Sequence, residues 1–132
     1  MRVLASLSAV VVTVALTACN HAPVQHAATD PSPATVLNGR LVGPNQMTLY
    51  TFDRDIMDSG KSMCYGSCAT NWPPLIAPNH AQPIGSWSVV TRNDGARQWA
   101  YKGKPVYYWI KDGKPGDATG DGVGNAWRIA KP

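Results

Sequence analysis

The sequence predicts an all-β fold: a small antiparallel sheet or sandwich-like domain built from two diverged repeats, with one short helical turn near a pair of cysteines. Three observations favour this class. The chain has 12 Gly and 11 Pro among 132 residues, a composition typical of many turns and few long helices. Short β-prone runs alternate with turn signals in the second half. One aromatic motif occurs twice, which indicates an internal duplication.

The repeated motif is Tyr-x-aromatic-x-x-Asp. Its two copies are Tyr50, Phe52 and Asp55, and Tyr107, Trp109 and Asp112. Trp72 and Trp127 follow the two copies at nearly the same distance. Residues two apart share one face of a strand, so each copy places its two aromatic rings on the same side. The Asp falls where the strand ends, and its short carboxylate suits the backbone N–H groups of the following loop. We therefore expect both aspartates to organise turns rather than to act as catalytic acids.

The second half predicts an antiparallel meander. Residues 87–92 and 98–101 are β-prone and are separated by the turn signal Asn93-Asp94-Gly95. A second turn over Lys102-Gly103-Lys104-Pro105 leads to a third expected strand, Val106 to Ile110. Such short runs bounded by turn residues are typical of hairpin-connected strands.

Two further elements complete the prediction. Residues 62–72 are expected to contain one short helical turn, which Pro73-Pro74 ends because proline cannot continue a helix. Residues 126–130 are expected to add a last strand. Together with the meander, these elements keep the fold predominantly β.

The N-terminus predicts an exported lipoprotein. A charged start, Met1-Arg2, precedes an apolar stretch that is too short to span a bilayer and is typical of a signal peptide. The stretch ends in Leu16-Thr17-Ala18-Cys19, which matches a lipobox, the site where Cys19 receives lipid. An ordinary secretory signal is the alternative. The predicted organisation is a signal peptide over 1–18, a lipid-anchored tether over 19–35 and a secreted-repeat β domain over 36–132.

The predicted location is the cell envelope, in the periplasm. Asn20 follows the lipidated cysteine, and this favours the outer membrane if the host is Gram-negative. A cysteine with two or three acyl chains anchors stably, so the membrane is the first expected partner. The net charge of +4 comes from scattered basic residues. No basic stripe of the kind that binds nucleic acid is present, so nucleic acid is excluded as a partner.

Cys64 and Cys68 remain once the lipid takes Cys19. An oxidising compartment predicts a disulfide between them. Redox activity and copper binding are the alternatives, since Met57, Met63 and His80 lie near the two cysteines in sequence and soft ligands select Cu(I). The set has no recognisable metal-ligand spacing, and methionine often fills gaps in cores. We expect a structural disulfide, no metal and no cofactor.

No catalytic constellation emerges. His80 is the single His after the tether, and no nucleophile pattern accompanies it. The stretch from Asp117 to Asn125 partly follows a calcium-loop spacing, but Arg128 stands where a bidentate Glu is required. A Gly-rich surface loop is the simpler interpretation. We expect the protein not to be an enzyme.

These motifs resemble the family known as the secreted repeat of unknown function, described as predicted lipoproteins with the Tyr-x-aromatic-x-x-Asp motif. The resemblance covers roughly residues 36–132. It rests on the first motif copy within residues 49–55, on the segments 60–69 and 71–75, and on the short segments 94–95, 98–99, 101–103 and 115–127. It implies an exported, often lipid-anchored repeat domain and brings no reaction or ligand.

The leading hypothesis is a non-catalytic binding or interaction module of the cell envelope, whose partner is an envelope protein or a glycan. Five Trp and five Tyr leave open an exposed aromatic platform for such a partner, although a small core also needs large aromatic side chains. A redox or copper-handling lipoprotein is the alternative.

Overall fold

A computed structural model describes residues 32–132. The predicted signal peptide, Cys19 and most of the predicted tether lie outside this range. The described chain forms seven strands, one α-helix and one 3₁₀ turn. In chain order these are β1 (Thr35–Leu37), β2 (Arg40–Val42), β3 (Tyr50–Phe52), α1 (Ser67–Asn71), β4 (Trp87–Thr91), β5 (Arg97–Tyr101), β6 (Lys104–Pro105), the 3₁₀ turn (Val123–Asn125) and β7 (Trp127–Ile129).

The strands form three small antiparallel sheets: β1–β2, β3–β7 and β4–β5–β6. The all-β prediction is therefore confirmed, and α1 supplies the single short helix expected near the cysteines. No helix within residues 32–132 is long and apolar enough to cross a membrane. The first strand begins at Thr35, one residue inside the segment assigned to the tether.

The β4–β5 hairpin follows the sequence prediction closely. Val89 pairs with Trp99 and Trp87 pairs with Tyr101 across the two strands. The turn at Asn93-Asp94-Gly95 closes with a 2.8 Å hydrogen bond from the Arg92 N–H to the Ala96 carbonyl. The last predicted strand, over residues 126–130, is also confirmed as β7.

The prediction of a strand over Val106 to Ile110 is wrong. The chain reverses within Lys102 and Gly103, which both adopt positive φ angles (47° and 81°), so the third strand of the meander is Lys104–Pro105. The Val106 N–H still donates to the Trp99 carbonyl of β5 at 3.1 Å, and the backbone turns towards the first repeat at the next residue. The Tyr107 N–H donates to the Tyr50 carbonyl at 2.9 Å instead of continuing the meander.

Matching backbone hydrogen bonds relate the two repeats. The Leu75 N–H donates to the Val106 carbonyl at 3.0 Å, and at the equivalent place the Ala130 N–H donates to the Leu49 carbonyl at 2.8 Å. Tyr50 and Tyr107 lie at the centre of this arrangement. Each donates its N–H to the carbonyl of the other, at 2.8 and 2.9 Å. The two motif copies therefore pair with each other directly.

Two buried clusters form the core. One is mainly aliphatic and contains Leu41, Leu49, Leu75, Val106 and the rings of Trp87 and Trp99, with four alanines around them. The other is mainly aromatic and contains Tyr50, Phe52, Cys64, Trp72, Tyr107 and Trp127. Four of the five tryptophans are thus buried in the core, and Trp109 is the one that stays half-exposed.

Gly120 is expected to tolerate no side chain. A Cβ there would lie 2.9 Å from Trp72 Cη2 and 2.9 Å from Tyr50 Cε1. The Gly120→Ala variant should therefore lower the free energy of unfolding by about 1–3 kcal/mol, as overpacked cores do. Urea unfolding followed by tryptophan fluorescence measures this. Gly113→Ala is the matched control, since its Cβ would meet only Asp117 Oδ2 at 3.7 Å. Equal losses in the two variants would contradict the packing described.

Candidate functional site

The first motif copy supplies a buried tyrosine to the Asp of the second copy. The Tyr50 hydroxyl donates to Asp112 Oδ2 at 2.6 Å and accepts a hydrogen bond from the Gly120 N–H at 3.2 Å. The other oxygen of Asp112 accepts from the N–H and the hydroxyl of Thr119, at 2.9 and 2.7 Å. Asp112 therefore fastens the loop that follows its own motif to the tyrosine of the other repeat.

The second motif copy returns the same interaction. The Tyr107 hydroxyl donates to Asp55 Oδ2 at 2.6 Å and lies 2.7 Å from Ser62 Oγ. Asp55 Oδ1 accepts from the Met63 N–H at 2.7 Å, in the loop that follows the first motif. These two tyrosine–aspartate pairs are reciprocal, because each tyrosine satisfies the aspartate of the opposite repeat.

Four aromatic rings stack in a continuous aromatic column between the two pairs. In order along the column they are Phe52, Trp127, Trp72 and Trp109. Neighbouring ring centroids lie 4.3, 3.7 and 4.0 Å apart, with interplanar angles of 18°, 5° and 26°. The repeat-equivalent Trp72 and Trp127 form the tightest pair at the centre. Each repeat therefore inserts its ring between two rings of the other.

The tyrosines touch this aromatic column edge-on. The Tyr50 and Trp72 centroids are 5.5 Å apart at 76°, and the Tyr107 and Trp127 centroids are 5.2 Å apart at 90°. Edge-to-face contacts at this distance are favourable because the positive edge of one ring meets the negative face of the other. Hydrogen bonding and ring packing thus fix the same two tyrosines.

Burial sets the electrostatics of the pairs. Loss of solvent raises the pKa of Tyr50 and of Tyr107 well above the usual value, and the neighbouring carboxylates add to the effect. Burial also raises the pKa of the Asp55 carboxyl, although its hydrogen bond from Tyr107 opposes the shift. Desolvation disfavours the charged form of an acid, which explains the common direction. Both phenols therefore stay protonated and act as hydrogen-bond donors.

Arg92 is a buried cation beside the Asp55 pair. Its guanidinium donates to Gln98 Oε1 at 2.7 Å, to Ser62 Oγ at 3.0 Å and to the Cys64 carbonyl at 2.6 Å. Every buried side-chain nitrogen and oxygen within residues 32–132 has a hydrogen-bond partner. In native structures most buried polar groups are hydrogen-bonded in this way. These groups therefore hold the two repeats together.

Cys64 and Cys68 form a disulfide, as predicted. Cys64 is fully buried against the aromatic column, whereas Cys68 is half-buried at the start of α1. His80 does not join them, because it lies at a separate pocket on the other core cluster. Within residues 32–132 no group of three His, Cys, Asp or Glu side chains is placed to hold a metal ion.

The Gly-rich stretch from Asp117 to Asn125 folds as turns. Asp117 accepts from the Gly113 N–H at 2.9 Å and pairs with Lys114 Nζ at 2.6 Å. Asp121 accepts from the Ile129 N–H at 3.0 Å. Its carboxylates therefore serve different backbone segments instead of converging on one point.

An apolar pocket of about 300 Å³ opens beside the aliphatic cluster. Its lining residues are Ser32, Pro33, Pro44, Leu75, Ile76, Pro78, His80, Ala81 and Trp99. Arg97 stabilises one wall, since its guanidinium donates to the backbone carbonyls of Asn79 and Ala81. The volume lies at the lower limit of typical ligand pockets, and the lining is chiefly apolar, as such pockets are.

A second cavity of about 530 Å³ adjoins the disulfide loop. Tyr65, Gly66, Ala69, Arg92, Asn93 and Asp94 line it. The guanidinium of Arg92 already serves three acceptors inside the protein. The apolar pocket is therefore the better candidate for a binding site.

The fold and the reciprocal pairs define a class: a two-repeat β domain whose Tyr-x-aromatic-x-x-Asp motifs interlock. A family model described as a secreted repeat of unknown function matches the chain twice, over residues 35–76 and 88–131. The chain therefore belongs to this family, and the resemblance drawn from the motifs is confirmed. A search of curated proteins and a search of solved structures found no match.

The motifs identify these residues in the sequence but do not show how they pair. Asp55 and Asp112 each bind the loop that follows their own motif, as expected, and each also accepts a hydrogen bond from the tyrosine of the other repeat. Arg92 and the apolar pocket were missed as well. The signal available in the sequence is that both motif copies have the same internal spacing, which fits a symmetric exchange.

The raised pKa of Asp55 predicts a pH effect on stability. The folded chain holds the Asp55 proton more tightly than the unfolded chain, whose pKa is near 3.8. The contribution of this carboxyl is therefore fully present below pH 3.8 and is lost as the pH rises through the folded pKa. The Asp55→Asn variant should lack this loss, as measured by urea midpoints across acidic pH.

The matched control is Asp53→Asn, which removes an exposed carboxylate that pairs with Arg128 at 3.1 Å. The difference in unfolding free energy between wild type and Asp55→Asn should change with pH in the stated direction. The assignment would be refuted if this difference in unfolding free energy stayed constant over acidic pH. It would also be refuted if the difference between wild type and Asp53→Asn changed with pH by the same amount.

Proposed function

We propose that the protein is a lipid-anchored protein of the cell envelope whose domain is a non-catalytic binding module. The apolar pocket beside Trp99 is the observation that carries this proposal. The family's description as secreted agrees with export. The lipobox around Cys19 supports anchoring, and Asn20 favours the outer membrane, facing the periplasm.

The tether length supports a site that works close to the membrane. Residues 20–34 join Cys19 to β1, and a chain of that length spans at most about 50 Å when fully extended. Pro33 and Ala34 are already buried against the domain, and Ser32 and Pro33 line the apolar pocket. The pocket therefore lies where the chain from the lipid reaches the domain.

The pocket favours an aromatic side chain of an envelope protein as its occupant. Ser32 and His80 are the polar side chains among its lining residues, and no Lys, Arg, Asp or Glu is found among them. A sugar requires many polar partners, whereas a single ring with one polar group fits an apolar pocket of this size. Trp99 offers a rigid aromatic surface for such a ring.

We propose no catalysis because the motif hydroxyl and carboxyl groups bind each other and His80 has no orienting partner in the pocket. The buried hydroxyl and carboxyl groups of the motifs are occupied by each other. His80 is exposed at the pocket, and its lining offers no carboxylate to orient the imidazole. A catalytic base needs a positioned hydrogen-bonding partner.

Lipid anchoring predicts that Cys19→Ser moves the protein from the membrane fraction to the soluble fraction of the cell envelope. The reason is that the serine hydroxyl offers no thiol for the lipid. Mass spectrometry of the wild-type N-terminus should show an acylated Cys19. The control variant Thr17→Ser keeps a small residue two positions before the cysteine and should remain anchored. An unacylated, soluble wild-type protein would refute the anchor.

Pocket binding is tested with 4-fluorophenol, which carries the ring and the hydroxyl of a tyrosine side chain. Fluorine NMR should show saturable broadening with wild-type protein and its loss with Ile76→Glu, which places a charge at the pocket. Ile110→Glu is the matched control, because both isoleucines are 56% exposed. Equal binding in the two variants would refute the site.

Two further measurements distinguish the alternatives, and the first adds a competing ligand to the 4-fluorophenol NMR experiment. Displacement of 4-fluorophenol by N-acetylglucosamine would favour a glycan instead of a protein side chain. Copper(I) binding that appears only after reduction of Cys64 and Cys68 would instead favour the redox or copper-handling alternative.

A further inference from the structure

The aromatic column connects the protein surface to the two buried tyrosine–aspartate pairs. Trp109 is its half-exposed end, and the exposed Lys111 lies over the Trp109 ring at 5.7 Å. Trp72 and Trp127 follow inside the core at stacking distance, at 4.0 and 3.7 Å between successive centroids. Tyrosine rings adjoin both of these inner tryptophans. The arrangement is therefore an unbroken path of oxidisable rings from the solvent to two phenols.

Each phenol at the inner end has a proton acceptor in place. The Tyr50 hydroxyl lies 2.6 Å from Asp112 Oδ2, and the Tyr107 hydroxyl lies 2.6 Å from Asp55 Oδ2. A phenol that loses one electron becomes a strong acid. Its oxidation is therefore more favourable when a base lies within hydrogen-bond distance and takes the proton. Both aspartates are also held by their second oxygen, so they are positioned to take the proton without moving.

We propose that the aromatic column is a relay for one-electron oxidation, which takes a diffusing radical oxidant at Trp109 and ends as a tyrosyl radical on Tyr50 or Tyr107. This activity goes beyond the proposed binding function and uses a different part of the molecule. Its substrate class is a small one-electron oxidant. The protein would act as a stoichiometric sink that draws oxidising equivalents away from the surface.

The steps balance in electrons and protons. The oxidant takes one electron from Trp109 and is reduced, leaving the Trp109 radical cation. Trp72 gives an electron to Trp109 and then receives one from Tyr50. As Tyr50 is oxidised, its phenol O–H breaks, and the proton forms a new O–H bond on Asp112 Oδ2. The products are the reduced oxidant, a neutral Tyr50 radical and a protonated Asp112.

The second branch uses the other pair in the same manner. Trp127 gives an electron to Trp72 and then receives one from Tyr107. The phenol proton of Tyr107 passes to Asp55 Oδ2. Burial raises the pKa of the Asp55 carboxyl, and this favours its protonated form after the transfer. The interlocking of the repeats therefore supplies two endpoints for one surface tryptophan, and the second is reached through one more tryptophan.

Flash photolysis of the full-length chain in detergent tests the relay. Photoexcited ruthenium(II) tris-bipyridine with persulfate supplies the one-electron oxidant, and transient absorption separates tryptophan radicals from tyrosyl radicals. All proteins carry Tyr65→Phe and Tyr101→Phe, because Tyr65 is 54% exposed and Tyr101 is half-buried like Trp109, so both would be oxidised directly. The expected result is a tryptophan radical that decays into a tyrosyl radical, more slowly in D₂O than in H₂O.

Variants locate the endpoints. The double variant Tyr50→Phe with Tyr107→Phe should lose the tyrosyl radical, whereas Tyr108→Phe, in the aliphatic cluster, should keep it. Because the double variant leaves two buried aspartates without partners, Asp55→Asn with Asp112→Asn is a second test that keeps the phenols. It should slow the conversion and lengthen the life of the tryptophan radical.

The surface end is tested in the same way. Trp109→Phe should lower the yield of buried tyrosyl radical, while Trp87→Phe, in the aliphatic cluster, should leave it unchanged. A tyrosyl yield that survives in the double tyrosine variant, an equal yield in Trp109→Phe and Trp87→Phe, or a conversion with no solvent isotope effect would each overturn the proposal. The D₂O comparison uses unaltered motifs, so it decides the question even if the double variants fail to fold.

Discussion

The hydrogen bonds that pass between the two repeats govern the rest of the structure. Tyr50 donates to Asp112 and Tyr107 donates to Asp55, both at 2.6 Å inside the core. Each repeat alone would contain a buried tyrosine and a buried aspartate without these partners. A buried donor or acceptor left without its partner costs about 1–3 kcal/mol. The stacking of Trp72 on Trp127 adds to this mutual dependence. The duplicated sequence therefore folds as one cooperative body and not as two independent units.

The apolar pocket lies at a place where the two repeats differ. Leu41 and Trp99 occupy equivalent positions, since their N–H groups donate to the carbonyls of Ala130 and Leu75 respectively. The larger side chains of Trp99 and Leu75 line the apolar pocket, whereas Leu41 and Ala130 pack within the core. Core residues are held by packing, and binding sites arise where a scaffold presents divergent surfaces. The pocket is accordingly a property of one side of the pseudo-symmetric body.

Much of the fold was predictable from the sequence because its signals are local. The turn signal Asn93-Asp94-Gly95 predicts the β4–β5 hairpin. The expected export to an oxidising compartment predicts the Cys64–Cys68 disulfide. The β1–β2 hairpin was missed, although Asn38-Gly39 is a strong hairpin signal and both residues have positive φ angles. The strand expected after Pro105 failed because Tyr107 pairs with Tyr50, far away in sequence. Such long-range partners, like the three acceptors of Arg92, depend on tertiary packing that no local pattern encodes.

Native-state hydrogen exchange tests the central claim most directly. The N–H groups of Tyr50 and Tyr107 each donate to the other residue's carbonyl, so they report the junction between the repeats. If the repeats form one cooperative body, both amides should exchange only through global unfolding, with equal opening free energies that match the value from urea unfolding. If one repeat opens while amides of the other stay protected, or if the two junction amides exchange at a much lower free energy, interlocking through the tyrosine–aspartate pairs is not what holds the domain together.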